Sequence, residues 1–189
     1  ADIFQNDRPL TNILVADYSF LDESLAEHYG VTKRWQNASD SNDEKTLRAG
    51  KYRYVSLPPA RGGLATMGLF LTKTSLPLRT SPVQRGAWLT ESLLGRHLPN
   101  PPAGVPSLSE DDTNDHGESI LAQLERHRAD ASCASCHDKI DPLGISLENF
   151  DAIGRYRGSD RDGAELSVVA TTHDGYELNG SAGLKDYLR

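Results

Sequence analysis

Cysteine and methionine are nearly missing from this 189-residue chain, which has two of the first and one of the second. Both cysteines fall in one short stretch, so no thiol is left for a disulfide elsewhere. A self-contained zinc site is excluded as well, because its four ligands need a second Cys pair or a His-x3-5-His, and neither occurs. Positive charge is in the minority: 20 Lys and Arg stand against 27 Asp and Glu, a net charge of −7. Nucleic acid is therefore excluded as a partner, since a phosphate backbone demands a basic face. Long apolar runs are missing too, and none approaches the ~20 residues of a membrane span. Signal peptide and initiator methionine are both lacking, so the chain reads as a mature or excised piece. No internal repeat occurs, and the length suits one large domain or two small ones.

What is present is Cys133-Ala134-Ser135-Cys136-His137. Two residues between the thiols let one helical turn offer both sulfurs to one edge of a porphyrin. The next residue then projects its imidazole under the metal. This is the Cys-x-x-Cys-His form in which two cysteines take thioether bonds to the haem vinyls and histidine binds the iron. A thioredoxin-like redox pair would need a β-α-β frame and would gain nothing from the adjacent histidine. Half a zinc site and a chance match are the other rivals. Cys133, Cys136 and His137 are thus the candidate attachment and iron-binding residues of one covalent haem c. Only 37% of the chain is hydrophobic, low for a chain that builds its own core, and a buried porphyrin would supply apolar surface that side chains lack.

In chain order, Asn12 to Gly30 reads as a helix, with Leu21, Leu25 and Tyr29 on one face. Ser19 can cap its start, Gly30 suits its end, and His28 is a surface histidine in its last turn. Val31 to Gly50 reads as a surface loop, and Lys51 to Leu57 as a strand ended by Pro58-Pro59. Arg61-Gly62-Gly63 opens an apolar run, Leu64 to Leu71, that holds the lone Met67. Such a methionine is usually core filler, but a six-coordinate haem needs a second axial ligand and thioether is a common choice. The glycines before it would let backbone approach the porphyrin closely.

Ser81 and Pro82 start a further helix that ends at Gly95. Arg79 and Arg85 beside its start read as solvated groups or as partners for a haem propionate. His97 to Leu108, with four prolines, and the acidic Glu110 to Asp115 read as an extended connector. Asp115-x-x-Glu118 is a capping box for a helix through Ile120, Leu124 and His127 that runs almost into Cys133. Asp141 to Gly144 reads as a turn whose backbone carbonyls could fix the His137 ring. Leu166 to Thr171 and Tyr176 to Leu178 form a hairpin around Asp174-Gly175, and Ser181 caps a last short helix.

Residues 133–157, Cys-Ala-Ser-Cys-His-Asp-Lys-Ile-Asp-Pro-Leu-Gly-Ile-Ser-Leu-Glu-Asn-Phe-Asp-Ala-Ile-Gly-Arg-Tyr-Arg, closely resemble the C-terminal region of planctomycete-type cytochrome c proteins. So do Arg61-Gly-Gly-Leu-Ala-Thr-Met-Gly-Leu-Phe-Leu-Thr and Arg79-Thr-Ser-Pro-Val-Gln-Arg-Gly-Ala-Trp. Arg8-Pro-Leu-Thr and Ala16-Asp-Tyr-Ser-Phe-Leu look like the tail of the module that precedes them in that family. The resemblance implies a monohaem c-type cytochrome module from a longer exported protein, of a kind also found beside carbohydrate-binding modules in secreted redox proteins. His127 belongs to the family's pattern as well.

The expected fold is mainly α with a small β-hairpin. It is an atypical c-type cytochrome because the haem motif lies in the C-terminal half. One module spans 1–189, with 1–108 carrying the distal ligand and 109–189 the haem attachment. The expected function is electron transfer through a haem with His137 and Met67 as axial ligands, without enzymatic activity of its own. The alternative is a five-coordinate haem enzyme, peroxidase-like, or a gas sensor, with His127 or His116 as the distal group; His127 is also the rival to Met67 as ligand. Expected partners are a redox protein and polysaccharide-oxidising enzymes. The isolated module should be a monomer, periplasmic or secreted, because haem c is attached outside the cytoplasm.

Overall fold

Asn12 to Gly30, expected as one helix, is broken into three pieces. The computed structural model describes residues 2–38, 52–100, 120–159 and 163–189. After α1 (Asp2–Gln5) come α2 (Asn12–Val15), the strand β1 (Tyr18–Leu21) and α3 (Glu23–His28). Tyr18 and Phe20 are strand formers, and each packs its ring against Tyr54, which holds this stretch extended. Asp22, not Ser19, caps α3, accepting the Leu25 N–H at 2.8 Å. Gly30 ends it as expected, at φ +69°. The stretch read as a loop from Val31 opens with a helix, α4 (Thr32–Gln36). Its Trp35 indole donates to the Leu21 carbonyl at 2.9 Å. β2 (Arg53–Ser56) falls inside the expected strand and pairs antiparallel with β1, Tyr18 opposite Ser56 and Leu21 opposite Arg53. Leu21, Ala26, Tyr29, Val31, Val55 and Leu57 make the first apolar cluster.

The run from Leu64 becomes a 3-10 turn (Leu64–Thr66) followed by α5 (Gly68–Lys73). Ser81 and Pro82 start α6 (Pro82–Trp88) as their types predict, and a wider π turn (Leu89–Leu93) prolongs it to Gly95 at φ +64°. Two helices then carry the motif region, α7 (Ile120–Arg128) and α8 (Ala131–Ile145). They are not one run: Asp130 is extended and accepts the Ser132 N–H, which starts α8 afresh. α8 crosses α6 at two glycines. A Cβ at Gly86 would stand 1.9 Å from the Ile140 carbonyl oxygen, and one at Gly144 1.8 Å from that of Pro82. Backbone meets backbone at both points, which fixes the height and angle of α8.

The turn expected at Asp141 to Gly144 does not form, because α8 continues through Pro142. Proline forfeits one helical hydrogen bond there, but Ile140 to Gly144 are buried against α6, and that packing keeps the helix going. β3 (Val169–Thr171) and β4 (Glu177–Asn179) form the expected hairpin around Gly175. In the closing α9 (Gly180–Tyr187), Ser181 is no cap; it lies in the first turn and donates to the Ala60 carbonyl at 2.7 Å. Ala65, Phe70, Leu71, Leu89, Leu143, Leu147, Phe150, Leu178 and Leu184 form the second apolar cluster. The described residues are thus mixed helical with two small antiparallel ribbons, where the sequence points to one. Most of the proline-rich connector, the acidic run, the box at Asp115 and His116 lie outside the described residues. No described helix is long and apolar enough to cross a membrane.

Candidate functional site

Cys133, Cys136 and His137 share the first half of α8. A spacing of three residues turns a helix by about 300°, so both sulfurs look out on one side with the imidazole beside the second. Both thiols are free and partly exposed. The helix start is fixed by Asp130, whose carboxylate accepts the N–H of Ser132 at 2.8 Å and its hydroxyl at 2.5 Å. Those bonds hold the Asp130 carboxyl below the usual carboxylate range, the Ser132 hydroxyl contributing most.

The imidazole of His137 is oriented by a side chain, not by a turn carbonyl. Its Nδ1 lies 3.0 and 3.1 Å from the two carboxylate oxygens of Asp141, one helical turn on. The Asp141 side chain is 0% exposed and that of His137 15%. A carboxylate accepts, so Nδ1 carries a proton, and in the neutral ring Nε2 is then the nitrogen with the free lone pair. That is the tautomer a metal-binding imidazole needs. The i, i+4 spacing of His137 and Asp141 is a readable signal once the helix is known to pass through Pro142.

Two residues of α7 complete the surroundings. Arg128 places Nη1 4.0 Å from Asp141 Oδ2 and Nε 3.7 Å from Asp138 Oδ1. The His127 ring meets that of His137 edge to face, centroids 4.8 Å apart. Two imidazoles bound to opposite faces of one iron must have the metal between them. Rings in edge-to-face contact leave no room for a porphyrin plane, so this arrangement does not suit His127 as a partner ligand to His137.

Arg79 and Arg85, expected at the surface or on a propionate, are both buried. Arg85 donates to the carbonyls of Leu147, Phe150 and Asp151, to Glu148 Oε1 and to Ser75 Oγ, all between 2.9 and 3.1 Å. Burial pushes its guanidinium down to about 10, against the pull of Glu148. Arg157 and Thr80 also bind Glu148, at 3.1 and 2.7 Å. This network ties α6 to the chain leaving α8, so it braces the motif helix from behind.

Met67 stands at the joint between the 3-10 turn and α5 and is 42% exposed, so it is no core filler. Both peptides around it are pinned. The Thr66 carbonyl accepts from Arg61 Nη1 at 3.2 Å, and the Gly68 N–H donates to the Tyr29 hydroxyl at 2.9 Å. Gly62 and Gly63 serve another purpose than the one expected. A Cβ on either would stand about 2 Å or less from the Ala16 or Leu14 carbonyl oxygen, so these glycines admit the backbone at α2. Met67 lines an apolar groove with Ile3, Ile13, Tyr18, Phe20 and Tyr52, to which no residue of α8 contributes. The structure therefore brings His137, Asp141, His127 and Arg128 together and leaves Met67 in a separate groove. Among the described residues, no group of three or more His, Cys, Asp or Glu could hold a bare metal ion.

A protein-family model matches residues 61–160, that of PSCyt3, described as a protein of unknown function (DUF1588). The matched stretch runs from Arg61 through Met67 and Arg85 to the whole of α8. Comparison with curated proteins and with solved structures gave no match.

Proposed function

We propose, on the premise that the chain belongs to the PSCyt3 family, that it is an electron-transfer module carrying one covalent haem c. The observation that supports this best is His137, held by a buried carboxylate in the tautomer that leaves Nε2 for iron, on the same helical stretch as two free thiols. The donor set fits the group, because a porphyrin brings four nitrogens of its own and asks little more of the protein than axial ligands. Cys133 and Cys136 would each add S–H across a vinyl group, forming a C–S bond with no leaving group. His137 Nε2 would bind the iron, and Asp141 would hold the ring against rotation. When bound, the haem supplies a metal that passes between ferric and ferrous states. The α6 crossing and the Arg85 network keep α8 from shifting when a partner docks.

Met67 is proposed as the second axial ligand. Its side chain is solvent-accessible instead of packed, and its backbone is locked on both sides. The second reading, an open five-coordinate iron serving a peroxidase-like reaction or gas binding, draws on the separate groove that Met67 occupies. Thioether attachment belongs outside the cytoplasm, so the module is proposed to work in the periplasm or as a secreted protein. Its partner would be another redox protein, with polysaccharide-oxidising enzymes as the end users of the electrons.

Mass spectrometry of the denatured protein, made in cells that mature cytochromes c, should show the polypeptide plus one haem. An unmodified mass overturns the reading. Met67→Ala should then abolish the weak red band of thioether-bound ferric iron and admit carbon monoxide to the ferrous form. A wild-type protein that is high-spin and already binds carbon monoxide establishes the open-site reading instead.

A further inference from the structure

We infer that Asp141 raises the donor strength of His137 and so lowers the reduction potential of the bound iron; the inference rests on the haem reading above. A ligand histidine whose outer N–H meets a neutral carbonyl remains a neutral imidazole. One whose outer N–H meets a carboxylate shares its proton with an anion, gains imidazolate character and gives more electron density through its other nitrogen. Here both carboxylate oxygens lie within 3.1 Å of Nδ1. The Asp141 side chain is 0% exposed, so water does not weaken the bond. Extra density at Nε2 stabilises ferric over ferrous iron, the lever of second-shell hydrogen bonding on potential. Arg128 Nη1 stands 4.0 Å from Asp141 Oδ2, an oxygen that also lies 3.1 Å from Nδ1, and supplies a countercharge to the carboxylate. A low potential suits a module that hands electrons on to an acceptor.

Asp138 provides an internal control. It follows His137 directly, carries the same charge and faces Arg128, but its side chain is 54% exposed and its ion pair is to Arg128, not to His137. Asp141→Asn and Asp138→Asn therefore remove equal charge from the same helix, and only the first takes the anion from the Nδ1–H. The asparagine oxygen can still accept that proton bond, so ring orientation is retained. Spectroelectrochemical titration of the haem-loaded chain should find the midpoint potential of Asp141→Asn raised, and that of Asp138→Asn moved by a small fraction as much. Equal shifts, or no shift in Asp141→Asn, overturn the inference.

A second measurement needs no variant. The nitrogen-15 resonance of cyanide bound to the ferric wild-type protein follows the donor strength of the opposite imidazole. It should fall with haem–imidazole reference complexes whose outer N–H bonds a strong acceptor, and a position among the plain imidazole references overturns the inference even if Asp141→Asn fails to mature. A wild-type chain whose mass lacks haem refutes the functional reading first, and that result is seen before any potential is measured.

Discussion

The guanidinium of Arg85 donates five hydrogen bonds, three of them to carbonyls of the chain that leaves α8. The side chain is 0% exposed, so the carbonyls it serves would lose a buried donor without it. Arg85→Met keeps most of the volume and removes the charge and all the donors. Glu148 would retain Arg157 and Thr80, but the Leu147, Phe150 and Asp151 carbonyls would lose a shared donor. We expect a loss of about 3–5 kcal/mol, the usual result of removing one partner from a buried pair. That is a large part of a domain's ~5–15 kcal/mol. Arg85→Lys should cost less, since one ammonium keeps the charge but cannot span the fork. Urea denaturation midpoints of the two variants check the order; equal midpoints would show that the charge without the fork contributes nothing. Nothing local in the sequence marks Arg85 as buried, because its principal partners lie more than sixty residues away. The Cys133 to His137 motif is legible for the opposite reason: its spacing is its geometry.

The helix start at Ser81-Pro82 agrees between sequence and structure, whereas Ser19 and Ser181, read as caps, do not cap their helices. Ser81-Pro82 and Asp130 act through bonds that close within two or three residues, so residue type alone announces the first. The failures are elements whose state depends on distant partners: β1 is extended because β2 pairs with it, and α8 survives Pro142 because α6 covers that stretch. The cap at Asp130 carries a pH dependence. Its carboxyl is lowered in the folded chain, foremost by the Ser132 hydroxyl. A lowered folded value stabilises at pH above the ordinary carboxylate value of ~3.9, and the contribution is lost as pH falls through the folded value. The first turn of α8, which holds Cys133, should therefore fray only in acid below about pH 4. Amide exchange at Ser132 and Ala134 should rise there in the wild type. Asp130→Ser keeps a cap without a titrating group, so its exchange in that window should lose the carboxylate's acid step. Retention of that step would assign it to another residue.

At the scale of the molecule, two apolar clusters are built from side chains alone among the described residues. Side chains from before and after the 101–119 stretch meet in one apolar cluster, and a second lies under the β1–β2 ribbon. Arg61 joins the two, its guanidinium stacked 4.1 Å from the Tyr29 ring of one and 4.8 Å from the Phe150 ring of the other. His28 Nε2 donates to the Ile153 carbonyl at 2.7 Å and Lys185 to that of Arg61 at 3.0 Å, which adds polar ties across the same seam. Neither cluster includes Cys133, Cys136 or His137, which sit on the half of α8 that leads away from the α6 crossing. Low apolar content suggests a core that leans on its cofactor; the structure instead fills buried positions with tied arginines. Removing both attachment points, Cys133→Ala with Cys136→Ala, should accordingly leave a chain that melts in one cooperative transition by circular dichroism. The loss should be local: amide protection should fall in α7 and the first half of α8, while Leu143, Leu147 and Leu89 keep theirs. A variant with no cooperative transition would make the haem part of the core after all, and would mean that the two clusters cannot hold the chain without it.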